Sequence, residues 1–132
     1  MGRVFFNTRK NIHELKTTYQ VLASDSGKIF MLNAAAGTFN VSLPTIEDGL
    51  FYKFVAKDTT ADVPILSGVA GSVDLVGKDS ESDAGPSTAG SAGGTITMKA
   101  AAHKGVYINV WCDGTGWYAE SMGSADSAVI VS

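Results

Sequence analysis

The sharpest hydrophobic pattern in the chain lies at Gly105–Met122. Val106, Ile108, Val110 and Cys112 alternate with Tyr107, Asn109, Trp111 and Asp113, the period of two that marks a strand with one buried face. Asp113-Gly114-Thr115-Gly116 breaks the pattern with turn-forming residues, and Trp117 and Tyr118 resume it. The segment is therefore predicted to be an antiparallel hairpin closed by a short loop. Both tryptophans and two of the four tyrosines fall here, and aromatic rings carry the largest area into a core. Val106, Ile108, Val110, Trp117 and Tyr118, with Asp113 and Gly114 at the loop, are expected to anchor the fold.

The rest of the chain repeats the theme on a smaller scale. Phe39, Val41 and Leu43 alternate with Asn40 and Ser42 before Pro44 ends the run, since proline has no ladder donor. Further strands are predicted at Thr17–Leu22, Lys28–Asn33, Leu50–Lys57, Pro64–Ser67, Ser72–Val76, Thr95–Lys99 and Ala128–Val131. Gly, Asp and Ser clusters such as Ala23–Gly27 separate them. About ten short strands with no amphipathic helix imply an all-β fold, a single-domain antiparallel β-sandwich or small barrel over residues 17–132. No tandem repeat of solenoid or propeller period is present. Lys78–Gly94 is nearly devoid of large apolar groups; such a loop is commonly mobile or an interaction surface, and it cannot contribute core.

Residues 1–16 read differently. Arg3-Val4-Phe5-Phe6 is apolar and basic, and Arg9, Lys10 and Lys16 follow with Glu14 as the one opposing charge. One helical turn at Asn11–Lys16, capped by Asn11, fits the pattern. The segment reads either as an edge strand laid on the sheet or as an arm that packs onto a partner.

Composition narrows the function. At 132 residues, 45% hydrophobic and 17% charged, with 15 Gly and 3 Pro, the chain suits one domain burying roughly two-thirds of its unfolded surface. A net charge of −3 and a pI near 5.2 give no field for nucleic acid. No long apolar run suggests a leader or a membrane span, so the expectation is a soluble, cytoplasmically made protein with no membrane partner. A lone cysteine, Cys112, cannot build a disulfide framework and is expected to be a small core residue.

Candidate chemistry is sparse. His13 and His103 sit in no nucleophile or metal context. Asp79, Glu81 and Asp83 have the spacing of a calcium-loop start, but Gly90 stands where the bidentate glutamate belongs. Ser87–Gly94 lacks the Gly-Lys-Ser/Thr of a phosphate loop. No catalytic, metal or cofactor-binding residue is assigned, and no enzyme activity is expected. Tyr107, Trp111 and Tyr118 could form an aromatic platform for a sugar, or pack in a core or subunit interface.

Two segments together carry a resemblance. T-Y-Q-V-L-A-S-D-S-G-K-I-F-M-L-N-A-A-A-G-T-F-N-V-S-L-P (Thr18–Pro44) resembles the strand–D-S-G-K–strand–A-A-G–strand–L-P opening of small tailed-phage virion proteins. C-D-G-T-G-W-Y (Cys112–Tyr118) is similar to the S-D-G-T-N-W-Y hairpin that closes such modules, with Gly116 and Cys112 as departures. Such modules occur in capsid decoration proteins and in tail-fibre or appendage proteins. The chain's size, with no room for a long shaft and an attachment domain, favours decoration. The resemblance implies a head-stabilising bacteriophage protein on the capsid surface, assembled in the host cytoplasm. It would bind the major capsid protein as a homo-oligomer, typically a trimer. Arg3, Val4, Phe5, Phe6, Arg9 and Lys10 are the expected shell contacts. Multivalent bridging would let modest contacts stabilise the shell, and a mean hydropathy of +0.12 fits apolar surface hidden between subunits. The alternative is an appendage module that binds a host receptor or glycan.

Overall fold

Short runs, most of them rich in β-branched and aromatic residues and several closed by Gly, Pro or Asp, form the strands. The computed structural model describes residues 10–68, 73–75, 94–122 and 128–131, with backbone alone for 73–75 and 131. Within them lie β1 (Ile12–Leu15), β2 (Tyr19–Gln20), β3 (Ile29–Asn33), β4 (Val41–Ser42), β5 (Phe51–Asp58), β6 (Val63–Leu66), β7 (Val73–Leu75), β8 (Thr95–Met98), β9 (Tyr107–Cys112), β10 (Trp117–Met122) and β11 (Val129–Val131). A short 3₁₀ turn spans Ala23–Asp25, and the described residues contain no α-helix.

The fold is all-β and consists of two open sheets over one core. One sheet has the order β1-β3-β5-β9-β10-β7, the other β11-β8-β6-β4-β2, and buried apolar residues of both sheets join in a single cluster. From β1 to β9 each strand changes sheet, so the chain coils around the core. As a result β1, β3 and β5 run parallel, as do β2, β4 and β6. β5, β9 and β10 are antiparallel, as are β6, β8 and β11. The purely antiparallel sandwich expected from the sequence is thus corrected to a pair of mixed sheets. Parallel neighbours usually need a long crossover, commonly a helix. Here the strand in the opposite sheet is the crossover, and turn residues at a hairpin and at a sheet-to-sheet arch are the same kinds of residue.

The one helical turn that fits the pattern at Asn11–Lys16 is not what forms there. Ile12–Leu15 is an edge strand whose residues lie beside Ile29–Leu32, and the Ile29 N–H donates to the Asn11 carbonyl at 2.9 Å. A single helical turn fixes several residues for one hydrogen bond, whereas pairing with an existing strand adds bonds to a formed ladder. Pro64 is tolerated within β6 because β4 reaches only Ile65 and Leu66 on that side.

Aromatic residues organise the interior. On the six-stranded sheet Phe30 stacks on Phe54 at 5.5 Å and approaches Tyr52 at 6.3 Å, and Tyr52 lies 6.1 Å from Trp117. Val41, Ile65, Ile96, Met98 and Val129 meet them from the opposite sheet, all fully buried. In the hairpin Val106, Ile108, Val110 and Cys112 are buried as the alternation requires. Trp117 is 0% exposed and the largest buried side chain. Replacing Trp117 with Ala is expected to cost about 3–5 kcal/mol in urea unfolding. A loss below about 1 kcal/mol would place the ring at the surface instead.

Candidate functional site

Three features could carry function: the Asp25 turn, the hairpin loop, and the outward face of the six-stranded sheet. The first two prove to be structural knots. Asp25 is buried at 4% exposure. It accepts hydrogen bonds from the Leu22 N–H at 3.0 Å, the Tyr19 hydroxyl at 3.1 Å and the Lys28 ammonium at 2.7 Å. Burial alone would raise its pKa, but these three donors outweigh it and hold the carboxyl below its ordinary 3.8. Around it the Gly27 N–H donates to the Phe51 carbonyl at 2.8 Å, and the Phe51 N–H to Ser26 Oγ at 3.1 Å. Gly27 holds φ at +88°, with the Phe51 ring 3.5 Å from where a Cβ would stand. The D-S-G-K motif therefore ties the entry of β3 to β5.

At the hairpin loop Asp113 accepts from the Thr115 hydroxyl at 2.7 Å and N–H at 2.9 Å, from the Tyr118 hydroxyl at 2.8 Å and from the Gly116 N–H at 3.0 Å. Those donors hold its carboxyl well below the usual carboxylate range. Gly114, at φ +88°, leaves room for Asp48, whose Cβ lies 3.4 Å from where a side chain would begin. Asp113 and Gly114 thus shape an exposed turn docked on the Asp48–Leu50 loop, and the Gly49 N–H donates to the Cys112 carbonyl at 3.0 Å.

The third feature is a surface. Register places Phe51, Trp111 and Tyr118 in one row across β5, β9 and β10. Lys53, Asn109 and Glu120 form the next row, and Val55, Tyr107 and Met122 the third. Partners across strands share a face, and the buried Tyr52, Phe54, Ile108, Val110, Trp117 and Ala119 take the other one. Trp111 stacks on Tyr118, with centroids 6.1 Å apart and planes at 19°. The Lys53 ammonium lies 4.3 Å from the Tyr107 ring centroid, within cation–π range. Asn109 Nδ2 donates to Glu120 Oε1 at 2.9 Å. A groove of about 410 Å³ opens beside Phe51, Lys53, Asn109, Trp111 and Glu120. Phe51 is 57%, Trp111 37% and Met122 61% exposed, and Ile12, beside Ile29 on the same sheet, is 58% exposed. Exposed apolar side chains gathered on one sheet face in this way mark an interaction site.

The residues singled out from the sequence separate in space. Trp117 lies in the core, whereas Tyr118, the next residue, faces outward with Tyr107 and Trp111. Lys10 is exposed; Arg3, Val4, Phe5, Phe6 and Arg9 lie outside the described residues, as do Asp79, Glu81 and Asp83. His13 sits on β1 with its ring 5.3 Å from Tyr19 and 5.8 Å from Phe30, while His103 is an exposed loop residue. Among the described residues no group of His, Cys, Asp or Glu could hold a metal, and no helix is long and apolar enough to cross a membrane. Burial first, then the charge of Asp25, pushes the Tyr52 phenol up to about 12, and its hydroxyl donates to the Leu22 carbonyl at 2.9 Å. It is an anchor and no acid–base group at neutral pH. Phe51, Lys53, Glu120 and Met122 were not singled out from the sequence. The alternation Phe51-Lys53-Val55 carried the signal for the first two, but the adjacency of β5 to β9 did not show in it.

In comparisons with known proteins, no protein-family model and no curated sequence matches this chain. What the fold itself defines is a two-sheet β-sandwich with an apolar, aromatic outer face on its larger sheet.

The Asp25 knot sets an acid limit on stability. A carboxyl whose folded pKa is depressed stabilises fully above its unfolded value and loses that contribution as pH falls through the folded one. Urea unfolding from pH 7 down to pH 2 should therefore show a decline beginning near the ordinary value of 3.8. Asp25→Asn is expected to lose about 2 kcal/mol at pH 7, from charged hydrogen bonds removed, and to decline less steeply in acid. Equal acid slopes for the two proteins would refute the assignment.

Proposed function

We propose that the chain is a non-enzymatic structural protein of a bacteriophage particle, a decoration protein that sits in many copies on the capsid exterior and bridges neighbouring subunits of the major capsid protein. The observation that carries this reading is the outward sheet face, where Phe51, Trp111 and Met122 are exposed beside half-buried Val55 and Tyr107. Such a surface is built for protein contact. The body beneath it is tied together by the Asp25 and Asp113 knots, which supports a passive, load-sharing role. The D-S-G-K and D-G-T-G-W-Y resemblance supplies the particle, and the basic-apolar arm supplies the shell contact. Arg3, Arg9 and Lys10 would pair with acidic groups of the shell, while Val4, Phe5 and Phe6 bury apolar area.

A second reading has its own observation. Trp111 stacked on Tyr118 beside the Asn109–Glu120 pair offers a ring platform with hydrogen-bonding groups next to it. That is the arrangement an appendage module would use for a host glycan.

Deleting residues 1–10 is expected to leave the far-UV spectrum and thermal midpoint unchanged and to abolish co-sedimentation with capsids lacking the native protein. Unchanged co-sedimentation would reject the arm. A glycan array showing binding that Trp111→Ala removes would favour the appendage reading over decoration.

A further inference from the structure

We propose that the outward face of β5, β9 and β10 pairs two copies of this chain, face to face, about a two-fold axis running along β9. The proposal rests on reading this face as a protein contact, and it does not depend on the capsid. The nine outward residues form a three-by-three grid with Asn109 at its centre. A two-fold axis along β9 lays the β5 column of one copy over the β10 column of the other. Lys53 then lies over Glu120 of the second copy, and Glu120 over its Lys53. Phe51 faces Tyr118, and Val55 faces Met122. Trp111, Asn109 and Tyr107 each meet their own counterpart. Every opposition is apolar on apolar, amide on amide, or charge on opposite charge.

The charges also select this axis over the other simple one. A two-fold axis across the strands would set Lys53 on Lys53 and Glu120 on Glu120, which like-charge repulsion opposes. The chosen arrangement keeps the strands of the two copies aligned, the common way for sheets to pack, at a spacing of roughly 10 Å. That distance is within reach of lysine and glutamate side chains from facing sheets. Among the described residues Lys53 has no carboxylate partner within its own chain; its ammonium rests over Tyr107. Glu120 is exposed and holds one amide hydrogen bond. The groove beside Phe51 and Trp111 would receive the ring of Tyr118 from the second copy. An isologous contact of this kind closes on itself and yields dimers, not the trimers that the resemblance implies and not open fibres.

Sedimentation velocity of the full chain over a range of concentrations tests this. The wild type should show a monomer–dimer equilibrium. Lys53→Glu and Glu120→Lys should each weaken it by at least about tenfold, and the double exchange should restore it to within about threefold. Neither side chain is in the core, and far-UV spectra of the variants check that they fold. A monomer at all concentrations, a trimer, single variants that pair as well as the wild type, or a double exchange that fails to restore pairing would each overturn the proposal. So would quenching of Trp111 by an oligosaccharide on a monomeric protein, which would give the face to a sugar. A wild-type chain that pairs but does not bind capsids lacking the native protein would overturn the decoration reading alone.

Discussion

The file of rings from Phe30 through Tyr52 to Trp117 is what the rest of the structure depends on. These residues come from β3, β5 and β10, which are distant in the chain and run the same way across the larger sheet. Short strands of two to eight residues have little stability alone. Each becomes worthwhile only when its inward side chains reach a shared interior. The rings supply most of that interior on the larger sheet, and the branched aliphatics of the smaller sheet close over them. Because the chain changes sheet at almost every strand, neither sheet can form without the other. That coupling makes the body one cooperative unit.

The Asp25 knot follows from the same coil. Where the chain leaves one sheet for the other, its backbone groups lose their ladder partners and need others. Asp25 meets that need after β2, accepting from Leu22 and drawing in Tyr19 and Lys28. Asp113 meets the same need at the hairpin tip, where β9 turns back into β10 within one sheet. With the interior sealed and the turns satisfied, what remains unassigned is the outer face of β5, β9 and β10. The chemistry there is that of contact, through rings, one amide and a pair of opposite charges.

Much of the fold was legible along the chain. The strands read at Lys28–Asn33, Leu50–Lys57, Thr95–Lys99 and the hairpin fall on β3, β5, β8, β9 and β10, and Pro44 lies just beyond β4. Direction was not legible, because alternation is identical in a strand read from either end. An edge strand was only one of the readings of residues 1–16, because the polar neighbours of β1 suit a helix cap equally well. The site was half visible. Tyr107, Trp111 and Tyr118 stood out as aromatics, yet nothing local told Tyr118 from Trp117, adjacent rings on opposite faces. Lys53 and Glu120 acquire meaning only once β5 and β10 are known to flank β9, a long-range fact that strand order alone supplies.

A cryo-EM reconstruction of the phage particles proposed as its site, at a resolution that shows ring side chains, bears most directly on the proposal that the chain works by contact. The expected map has copies at symmetry-related positions on the shell, with the Trp111–Tyr118 face covered by protein. Particles without the chain, or copies whose Trp111 face looks out into bulk solvent, would contradict it.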